Sequence, residues 1–574
     1  MDWKKTYQTW LNHSNLDASL KENLDKYKED ESTLEDAFYT SLEFGTAGMR
    51  GVIGAGTNRM NIYTVRQASE GLALFIEEQG AEMKERGVAI AYDSRHMSKE
   101  FALESALTLA AHGIKAYVFE ELRPTPELSF AVRHLKAAAG IVITASHNPP
   151  EYNGYKVYGS DGGQLPPKEA NELTTYVRSV TDILSIDALE REQAEKDGLL
   201  EIIDKDVDRA YLEALRTVTI DPELIDRQGK KLKIVFTPLH GTGQMLGEKA
   251  LKQIGFRNVF FVDEQSKPDP DFSTVKSPNP EDPEAFTLAI EKGIEVDADV
   301  LIATDPDADR LGLAVKTAKG HYEVLSGNQI AALMVNYIFN AHSNNESLPK
   351  NAVMLKSIVS SNLPSVIADK YGVETIDVLT GFKFIAEKIK QFEIDYSKVF
   401  MYGFEESYGY LIQPFVRDKD AIQALVMVAE MTAYYTEQGY SLFDALHQLY
   451  HEHGHYKEKT ISVTMDGMKG TEKIKEIMNG LREQTPTRFG DIKVCMVEDF
   501  KEQTRLKESA EETIDLPKAD VLKYTLADKS WIAVRPSGTE PKIKFYISAS
   551  DDSGVAVMEK MEAFEKDIRS MIDF

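Results

Sequence analysis

Cysteine is almost absent from this 574-residue sequence, in which Cys495 is the single example. One cysteine excludes an intramolecular disulfide and a structural zinc site built from several thiolates. Such a composition is typical of proteins that work in a reducing compartment. The first residues, Met1-Asp-Trp-Lys, lead into a charged stretch and lack the apolar core of a signal peptide. We therefore expect a soluble cytoplasmic protein.

Long apolar runs and an excess of positive charge are also missing. No run approaches the roughly 20 apolar residues that a membrane-spanning helix needs. The 66 basic residues face 93 acidic ones, which gives a net charge of -27 and argues against a general surface for nucleic acid or anionic membranes. We expect no nucleic-acid or membrane partner, and a monomer or weak homo-oligomer. An anionic substrate would need a local basic pocket, for which the candidates are Arg50, Lys156, Arg310, Lys383, Arg417, Lys419, Arg535 and Lys544.

The length and the pattern of the chain predict several α/β domains. At roughly 150 residues per domain, the prior is about four domains. Residues 19–39 have helical spacing and predict an N-terminal helical cap. Short apolar strands that alternate with helix-like segments recur at 88–92, 114–119, 233–236, 259–262, 300–303 and 353–355. A charged segment, 187–213, is interpreted as helix-rich, and the Pro-rich 267–283 as a long loop.

The last part of the chain has a different pattern. Segments 459–465, 492–496 and 542–547 alternate polar and apolar residues, which predicts a mainly antiparallel sheet with helices. We therefore predict three α/β domains over 1–205, 206–322 and 323–455, followed by an α+β domain over 456–574.

The most informative segment is Thr144-Ala-Ser-His-Asn-Pro-Pro-Glu-Tyr-Asn-Gly-Tyr-Lys156. It follows the apolar run 140–143, so we predict a loop at the C-terminal end of a buried strand, where open α/β sheets bind ligands. Ser146 is a plausible covalent carrier of a phosphate. A serine hydrolase is disfavoured because the segment lacks the G-x-S-x-G elbow and because His147 is adjacent in sequence to the serine.

A second polar loop, Asp305-Pro-Asp-Ala-Asp-Arg310, follows the apolar run 299–303. Three carboxylates at alternate positions suit Mg²⁺, which prefers hard oxygen ligands. An EF-hand is rejected, because Arg310 and Lys316 stand where that loop requires Gly and Glu. The plain alternative is a solvated acidic turn.

Further loops combine charged groups with glycine or hydroxyls. Arg535-Pro-Ser-Gly-Thr-Glu540 offers a guanidinium and backbone donors that suit a phosphate. Gly403-Phe-Glu-Glu-Ser407 offers carboxylates for sugar hydroxyls. Weaker candidates are Thr380-Gly-Phe-Lys383, the Gly-rich loop 45–51 with Arg50, and Arg417 and Lys419 in 416–420, where a surface lysine or a solvated charge cluster is the alternative.

Together, in this order along the chain, these segments resemble the motifs of the α-D-phosphohexomutases. The resemblance implies three α/β domains with mixed sheets and a C-terminal α+β domain around a central cleft. It implies that Ser146 carries the phosphoryl group and that Ser146, Asp305, Asp307 and Asp309 hold one Mg²⁺ per chain. Catalytic roles fall to Ser146, His147, Lys156, Lys383 and Arg50. Substrate binding falls to Arg310, Thr380, Gly381, Glu405, Ser407, Arg417, Lys419, Arg535, Ser537, Gly538 and Thr539.

The activity that the resemblance implies is the interconversion of α-D-glucose 1-phosphate and glucose 6-phosphate. A phosphoserine enzyme and glucose 1,6-bisphosphate, as intermediate and activator, would carry it, and sugar phosphates would be the small-molecule partners. Two positions depart from many relatives, since Phe404 separates Gly403 from Glu405 and Ala47 replaces a serine. A phosphopentomutase or a phosphomannomutase with the same mechanism therefore stays an alternative, and so does a catalytically silent sugar-phosphate sensor.

Overall fold

The structure is a computed structural model that describes residues 2–45, 48–465, 467–507, 510–537 and 542–572. Its contacts divide the chain into two compact units, Met1–Ile330 with Phe382–Ser441 and Ala331–Gly381 with Leu442–Phe574. Among the described residues, no helix combines the length and the apolar character that crossing a bilayer requires.

Three short helices open the chain: α1 (Trp3–Leu11), α2 (Ala18–Tyr27) and α3 (Glu31–Phe38). Aspartates cap them. The Asp17 carboxylate accepts from the N–H groups of Ser19 and Leu20 at 2.9 and 3.2 Å, which satisfies donors that a helix start leaves unpaired. Trp10 and Phe38 pack edge to face with ring centroids 5.6 Å apart. The predicted helical character of 19–39 is confirmed.

The first sheet has seven strands in the order β1-β2-β6-β5-β3-β4-β7. Strands β5, β3, β4 and β7 run parallel, whereas β6 and β2 run antiparallel to their neighbours. Helices α6 and α7 pack against β3, whose five residues are all buried, as expected of a parallel strand. The elements are β1 (Phe44–Gly45), β2 (Gly48–Val52), α4 (Ile62–Glu78), α5 (Ala81–Arg86), β3 (Val88–Tyr92), α6 (Ser98–Ala111), β4 (Ala116–Phe119), α7 (Thr125–His134), β5 (Ala139–Ile143), β6 (Tyr152–Gly159), α8 (Pro167–Ser179), α9 (Arg191–Lys196) and β7 (Leu200–Ile203).

Two sequence predictions in this region are wrong. Segment 144–156 is not one loop, because residues from 152 onward form β6, where Tyr155 and Val157 are buried. Arg50 lies on a strand rather than in a Gly-rich loop, since β2 pairs with β6. This pairing needs Gly48, because a Cβ there would lie 2.1 Å from the Tyr155 carbonyl oxygen. The predicted helix-rich character of 187–213 is confirmed by α9 and α10, although the stretch also contains the edge strand β7.

The second sheet has five strands in the order β12-β11-β10-β8-β9, with β10, β8 and β9 parallel and β11 and β12 antiparallel. The predicted strands at 233, 259 and 300 are confirmed. The predicted long loop between α13 and α14 is also confirmed and contains a short 3-10 helix, Pro283–Phe286. The elements are α10 (Lys205–Leu215), α11 (Pro222–Gln228), β8 (Lys233–Thr237), α12 (Gly243–Ile254), β9 (Asn258–Phe261), α13 (Asp263–Ser266), α14 (Thr287–Val296), β10 (Val300–Thr304), β11 (Leu311–Lys316) and β12 (Tyr322–Val324).

The next elements continue the α/β pattern. Strands β13 and β14, in the second unit, are parallel, and strands β15 and β16, in the first unit, form an antiparallel hairpin. The elements are α15 (Gly327–Asn344), β13 (Ala352–Ser357), α16 (Leu363–Lys370), β14 (Glu374–Val378), α17 (Phe382–Asp395), β15 (Val399–Glu405), β16 (Gly409–Leu411), α18 (Ala421–Glu437) and α19 (Leu442–His453).

The C-terminal region is an antiparallel sheet with two helices, as predicted. Its main path is β17-β24-β23-β22-β19-β20-β21, with β18 paired to β19. Met478 from one helix and Phe564 from the other are buried in the same core as Ile532 and Phe545 from the sheet. The elements are β17 (His455–Thr464), α20 (Gly467–Glu483), β18 (Arg488–Phe489), β19 (Ile492–Asp499), β20 (Thr504–Lys507), β21 (Ala510–Thr513), β22 (Leu522–Leu526), β23 (Trp531–Pro536), β24 (Lys542–Asp551) and α21 (Gly554–Ile572).

Candidate active site

Ser146 lies in the loop after β5 and is almost fully buried. Its hydroxyl donates to Asp305 Oδ2 at 2.8 Å and lies 3.2 Å from His147 Nδ1. Its N–H donates to Thr144 Oγ1 at 2.8 Å. The backbone has φ +52°, the left-handed region, which costs a non-glycine residue on the order of 1–3 kcal/mol and persists where surrounding contacts enforce it. The structure thus holds this hydroxyl in one direction, toward the aspartate loop.

The aspartate loop follows β10, whose five residues are all buried. Asp305, Asp307 and Asp309 are buried too, and one carboxylate oxygen from each lies within 4.8 Å of the others. The loop turns tightly, because Ala308 has φ +51° and Asp305 Oδ1 accepts from the N–H groups of Asp309 and Arg310 at 3.1 and 3.0 Å. The predicted alternative of a solvated acidic turn is therefore wrong.

The loop packs directly on the chain that follows β8. Thr242 donates to the Pro306 carbonyl through its N–H at 2.8 Å and through its hydroxyl at 2.9 Å. A Cβ at Gly241 would lie 2.3 Å from the Pro306 Cα, so only glycine fits there. These contacts fix the turn on which the three carboxylates stand.

Cations and donors surround the three carboxylates. Lys156 Nζ lies 3.0 Å from Asp307 Oδ2 and 3.9 Å from Asp309 Oδ2, and Lys419 Nζ lies 3.1 Å from Asp309 Oδ2. Thr125, at the start of α7, donates to Asp307 Oδ2 at 2.9 Å. Lys156 and Lys419 are mostly buried, so the alternative interpretation of Lys419 as part of a solvated charge cluster is wrong.

The pKa values of Asp305 and Asp307 are shifted in opposite directions. Burial raises the pKa of Asp305 well above its usual range, and the charges of Asp307 and Asp309 add to that shift. Burial would also raise the pKa of Asp307, but the charge of Lys156 and hydrogen bonds from Lys156 and Thr125 outweigh burial and hold that pKa below its usual range. A bound cation would relieve the repulsion that raises the pKa of Asp305.

The geometry of the three aspartates fits a divalent cation. Asp307 Oδ1 and Asp309 Oδ1 are buried and have no hydrogen-bond partner among the described residues. Buried carboxylate oxygens without partners are rare in folded proteins unless an ion or water satisfies them. Together with Asp305 Oδ2 and the Ser146 oxygen, they form a set of hard oxygen ligands of the type that Mg²⁺ takes.

Arg310 and His147 border this group. Arg310 Nη1 lies 2.6 Å from Glu281 Oε1, a residue of the long loop after α13. Burial lowers the pKa of the His147 imidazole well below its usual range, and the charges of Arg310 and Arg50 lower it further. His147 is therefore neutral near pH 7. Arg50 Nη1 donates to Asn148 Oδ1 at 2.8 Å, which places this guanidinium beside the serine loop.

Glu405 and Phe404 lie at the end of β15 with opposite surroundings. Glu405 is buried, and its charge helps raise the pKa of both Arg310 and Lys419, so it lies near them. Phe404 is fully buried and stacks on Tyr402 with ring centroids 5.8 Å apart. Successive strand residues point to opposite faces, which explains why Phe404 faces the core. Ser407 follows β15 and is partly buried.

Arg417 and Lys419 are two residues apart but make different contacts. The Arg417 guanidinium pairs with Glu393 and with the Pro414 carbonyl. Lys419 lies between Asp309 and Asp418, at 3.1 and 3.2 Å. The structure thus brings Lys419 to the aspartate group and places the Arg417 guanidinium against α17. The segment leads into a helix, since the Asp420 side chain caps α18.

The remaining predicted residues lie in three places. Lys383 lies in the first turn of α17, in the first unit, with Nζ 5.4 Å from the Phe384 ring centroid. Thr380, Gly381, Arg535 and Ser537 belong to the second unit, where Arg535 lies on β23 opposite Lys544 and the Ser537 N–H donates to the Lys542 carbonyl at 2.7 Å. Gly538 and Thr539, as well as Thr46 and Ala47, lie outside the described residues.

Several residues of this site escaped the sequence analysis. Thr125 and Glu281 contact the aspartate loop from distant parts of the chain, and Arg95 contacts the serine loop. The sequence gives one indication that Arg95 belongs to the site, because this residue comes shortly after a run predicted to be a buried strand. Thr125 and Glu281 lie in segments with no chemical pattern that distinguishes them from ordinary helix and loop residues.

Comparison with protein families matches four models in chain order. Residues 41–183 match the model described as "Phosphoglucomutase/phosphomannomutase, alpha/beta/alpha domain I", and 209–320 and 326–453 match those of domains II and III. Residues 492–564 match the C-terminal domain of the same family. The predicted four-domain fold class, three α/β domains and a C-terminal α+β domain, is thereby confirmed.

Individual relatives extend the match over nearly the whole chain. The chain is 39% identical over 548 residues to a phosphoglucomutase of Staphylococcus haemolyticus, covering 93% of this chain and 97% of that protein. It is 40% identical over 560 residues to a phosphoglucomutase of Staphylococcus aureus, covering 97% and 98%. In fold it is similar to pp63/parafusin, a phosphoglucomutase from Paramecium, with a TM-score of 0.67 at 16% identity over 93% of this chain and 95% of that one.

Proposed function

Because this chain belongs to the phosphoglucomutase/phosphomannomutase family of sugar-phosphate mutases, we propose that it interconverts α-D-glucose 1-phosphate and glucose 6-phosphate. It is an enzyme of the intramolecular phosphotransferase type. The finer proposal is that Ser146 carries the phosphoryl group, that one Mg²⁺ binds per chain, and that glucose 1,6-bisphosphate is the intermediate. The enzyme would work in the cytoplasm.

One observation carries the mechanism: the Ser146 hydroxyl points at Asp305 from 2.8 Å, inside a group of three buried carboxylates. An unphosphorylated serine hydroxyl needs one hydrogen-bond acceptor and would not require three buried carboxylates beside it. A phosphoserine with a divalent cation on Asp305, Asp307 and Asp309 would explain both the carboxylates and the cationic residues around them. When bound, Mg²⁺ would neutralise charge that develops on the transferring phosphoryl group.

The proposed cycle consists of two phosphoryl transfers. In the first, the bond between Ser146 Oγ and phosphorus breaks as a sugar hydroxyl oxygen bonds to phosphorus; the sugar hydroxyl gives its proton to a base, and the freed Ser146 Oγ takes up a proton. In the second, Ser146 Oγ gives up that proton and attacks the other phosphate of glucose 1,6-bisphosphate, the bond from that phosphorus to the sugar oxygen breaks, and the sugar oxygen takes up a proton. Lys383 is the proposed acid and base. Near pH 7 His147 is neutral, so it can donate or accept a hydrogen bond at the serine without adding charge.

Charged side chains beside the serine suit a substrate phosphate. Arg310, Lys156, Lys419 and Arg50 all lie in or next to the group that contains Ser146 and the aspartates. Guanidinium groups bind phosphate oxygens through two parallel hydrogen bonds, and ammonium groups act as point charges. Glu405 would accept hydrogen bonds from sugar hydroxyls, and Ser407 would accept or donate them. Residues 535–539 would hold the phosphate that is not reacting.

One observation from the structure removes the reason for expecting a pentose. The departure that kept a pentose in view, Phe404, has its ring in the core, stacked on Tyr402. The residue that changes the motif therefore faces away from the side on which Glu405 lies. The relatives that are 39–40% identical also carry the name phosphoglucomutase.

The test compares glucose 1-phosphate with ribose 1-phosphate and mannose 1-phosphate by kcat/KM, with Mg²⁺ and a trace of glucose 1,6-bisphosphate. Intact-mass spectrometry of the same enzyme after incubation with the bisphosphate reports phosphorylation. We expect a strong preference for glucose, and a mass gain in wild type and in S105A that is lost in S146A. Ser105 is a matched control because it is a buried serine of α6 whose hydroxyl donates to the Phe101 carbonyl at 2.7 Å, away from the aspartate loop.

Other outcomes would point elsewhere. A pentose or mannose preference with phosphorylation of Ser146 would keep the mechanism and change the substrate. Binding of sugar phosphates with neither turnover nor phosphorylation would contradict the proposal and favour a sugar-phosphate sensor.

A further inference from the structure

Arg95, in the turn after β3, reaches across to the serine loop and binds its backbone. Nη2 donates to the carbonyl oxygens of Ser146, at 2.6 Å, and of Asn148. Nη1 donates to those of Pro149, at 2.8 Å, and Tyr152, at 3.0 Å. One guanidinium thus gathers four carbonyl groups between residues 146 and 152 around a single point.

The Arg95 side chain is completely buried, and so is its ionic partner. Asp93 Oδ2 lies 3.4 Å from Arg95 Nε, and both side chains have no exposed surface. Asp93 Oδ1 in turn accepts from the Arg95 N–H at 2.9 Å and from Ser98 Oγ at 2.7 Å. A buried charge is costly unless it is paired and hydrogen-bonded. The arrangement therefore fixes the guanidinium tightly.

The other face of the guanidinium is covered by the long loop after α13. The Phe272 ring lies over Arg95 with its centroid 5.0 Å away, a cation–π contact. Beside it, His96 Nε2 lies 2.7 Å from Asp271 Oδ1. Arg95 is thus held from both sides, by the first sheet and by a loop of the second.

The gathered carbonyls account for the unusual backbone at Ser146. With φ at +52°, this residue needs external contacts to keep its conformation. Arg95 binds its carbonyl oxygen, while Thr144 binds its N–H. With both ends of the residue fixed, the hydroxyl is directed to Asp305.

We propose that Arg95 is a positioning residue for phosphoryl transfer: it holds the backbone of Ser146 so that the hydroxyl is aligned with Asp305. The inference rests on the proposed function, because it assigns the alignment of the serine that the proposal makes the phosphoryl carrier. Among the described residues, the Arg95 guanidinium binds backbone carbonyls and Asp93 rather than the Ser146 hydroxyl, and its side chain has no exposed surface. Its contribution should therefore appear in the rate of transfer and not in sugar-phosphate affinity.

The experiment compares R95K with R86K and wild type. Arg86 is a matched control, since its guanidinium also binds two backbone carbonyls, those of Lys136 at 2.7 Å and Ala137 at 3.1 Å, but in another turn. The readouts are kcat, KM and the rate at which glucose 1,6-bisphosphate phosphorylates Ser146, followed by intact mass and normalised to folded protein. For R95K we expect kcat and the phosphorylation rate to fall by about 10- to 100-fold, since small misplacements of a reacting group have effects of this size. KM should stay within about twofold.

Two results would overturn the inference. One is an R95K enzyme with wild-type kcat per folded molecule. The other is a loss shared equally by R95K and R86K, which would show a general effect on folding. If R95K does not fold, D93N takes its place, because it keeps the shape of Asp93 and removes the charge that fixes Nε; wild-type kcat in D93N would then contradict the inference. A wild-type enzyme that is never phosphorylated would instead refute the proposed function.

Discussion

Thr125 binds Asp307 twice, through its N–H to the Asp307 carbonyl at 2.9 Å and through its hydroxyl to Oδ2 at 2.9 Å. The two residues are 182 positions apart, one at the start of α7 and the other in the loop after β10. With the hydroxyl on Oδ2, the other oxygen, Asp307 Oδ1, has no hydrogen-bond partner within the part of the chain that the structure describes. Thr125 therefore orients the carboxylate that we propose as a metal ligand.

Replacing Thr125 by valine is expected to weaken Mg²⁺ binding. Valine keeps the shape and the backbone hydrogen bond but removes the hydroxyl that orients Asp307. Loss of such an outer contact typically costs about 10- to 100-fold in metal affinity. Isothermal titration with Mg²⁺ or Mn²⁺ measures it, and T125S, which retains the hydroxyl, should bind nearly as wild type. Equal affinities in T125V and wild type would show that the contact does not orient a ligand.

Shortening Phe404 to leucine should leave the sugar preference unchanged. Its ring packs on Tyr402 in the core, so F404L should lower stability by roughly 1–3 kcal/mol while the ratio of kcat/KM for glucose and ribose 1-phosphates stays constant. In contrast, E405Q should reduce kcat/KM for both sugars. A shift of the ratio by tenfold or more in F404L would mean that this ring acts on the substrate after all.

Arg417 is expected to contribute to stability rather than to substrate affinity. Its guanidinium contacts Glu393 and the Pro414 carbonyl, and the side chain is fully buried. In R417M we expect a lower Tm, with KM and kcat within about twofold of wild type. Thermal unfolding and steady-state kinetics on the same preparation decide the matter. If KM rose tenfold while Tm stayed unchanged, Arg417 would be a substrate-binding residue.

Lys523 should make the stability of the second unit depend on pH. Burial lowers the pKa of this ammonium to about 8, outweighing the opposing charge of Asp377. The unfolded chain, with the usual value of 10.5, binds the proton more tightly, so the folded state is penalised below about pH 8 and the penalty disappears as pH rises toward 10.5. The shift corresponds to as much as about 3 kcal/mol.

The measurement is Tm for wild type and K523M at several pH values from 7 to 9.5. Methionine cannot be protonated, so the Tm of K523M relative to wild type should fall as pH rises. K501M is the control, because Lys501 is exposed and its removal should give no such trend. A Tm difference for K523M that does not vary with pH would rule out the effect.

The strands that carry the site were predictable from local sequence. The runs 88–92, 139–143 and 300–304 are apolar and rich in Val, Ile and Ala, and they form β3, β5 and β10. Polar residues directly after such runs were correctly expected in loops at strand ends. What local sequence could not supply is which loops meet. Ser146 and Asp305 are 159 positions apart, and only the resemblance to a family placed them together before the structure did.

Burial of charge was the least predictable property. Lys156 and Lys419 are ordinary surface residues by type, and only their carboxylate partners from other segments make burial favourable. Arg95 is similar, because its partners are backbone carbonyls, and carbonyls have no sequence signature. The strand at 152–159 is not predicted for another reason: its two glycines, a lysine and an asparagine hide the strand pattern, and the buried positions, Asn153, Tyr155, Val157 and Tyr158 among them, do not alternate with exposed ones.

The left-handed backbone at position 146 also limits which hydroxyl amino acid can serve there. At φ +52° a β-branched side chain crowds its own backbone, so threonine would be strained where serine is tolerated. Replacing Ser146 by threonine would therefore turn the hydroxyl away from Asp305 or disrupt the turn. Among the common phosphate-accepting alcohols, the shape of this loop selects serine.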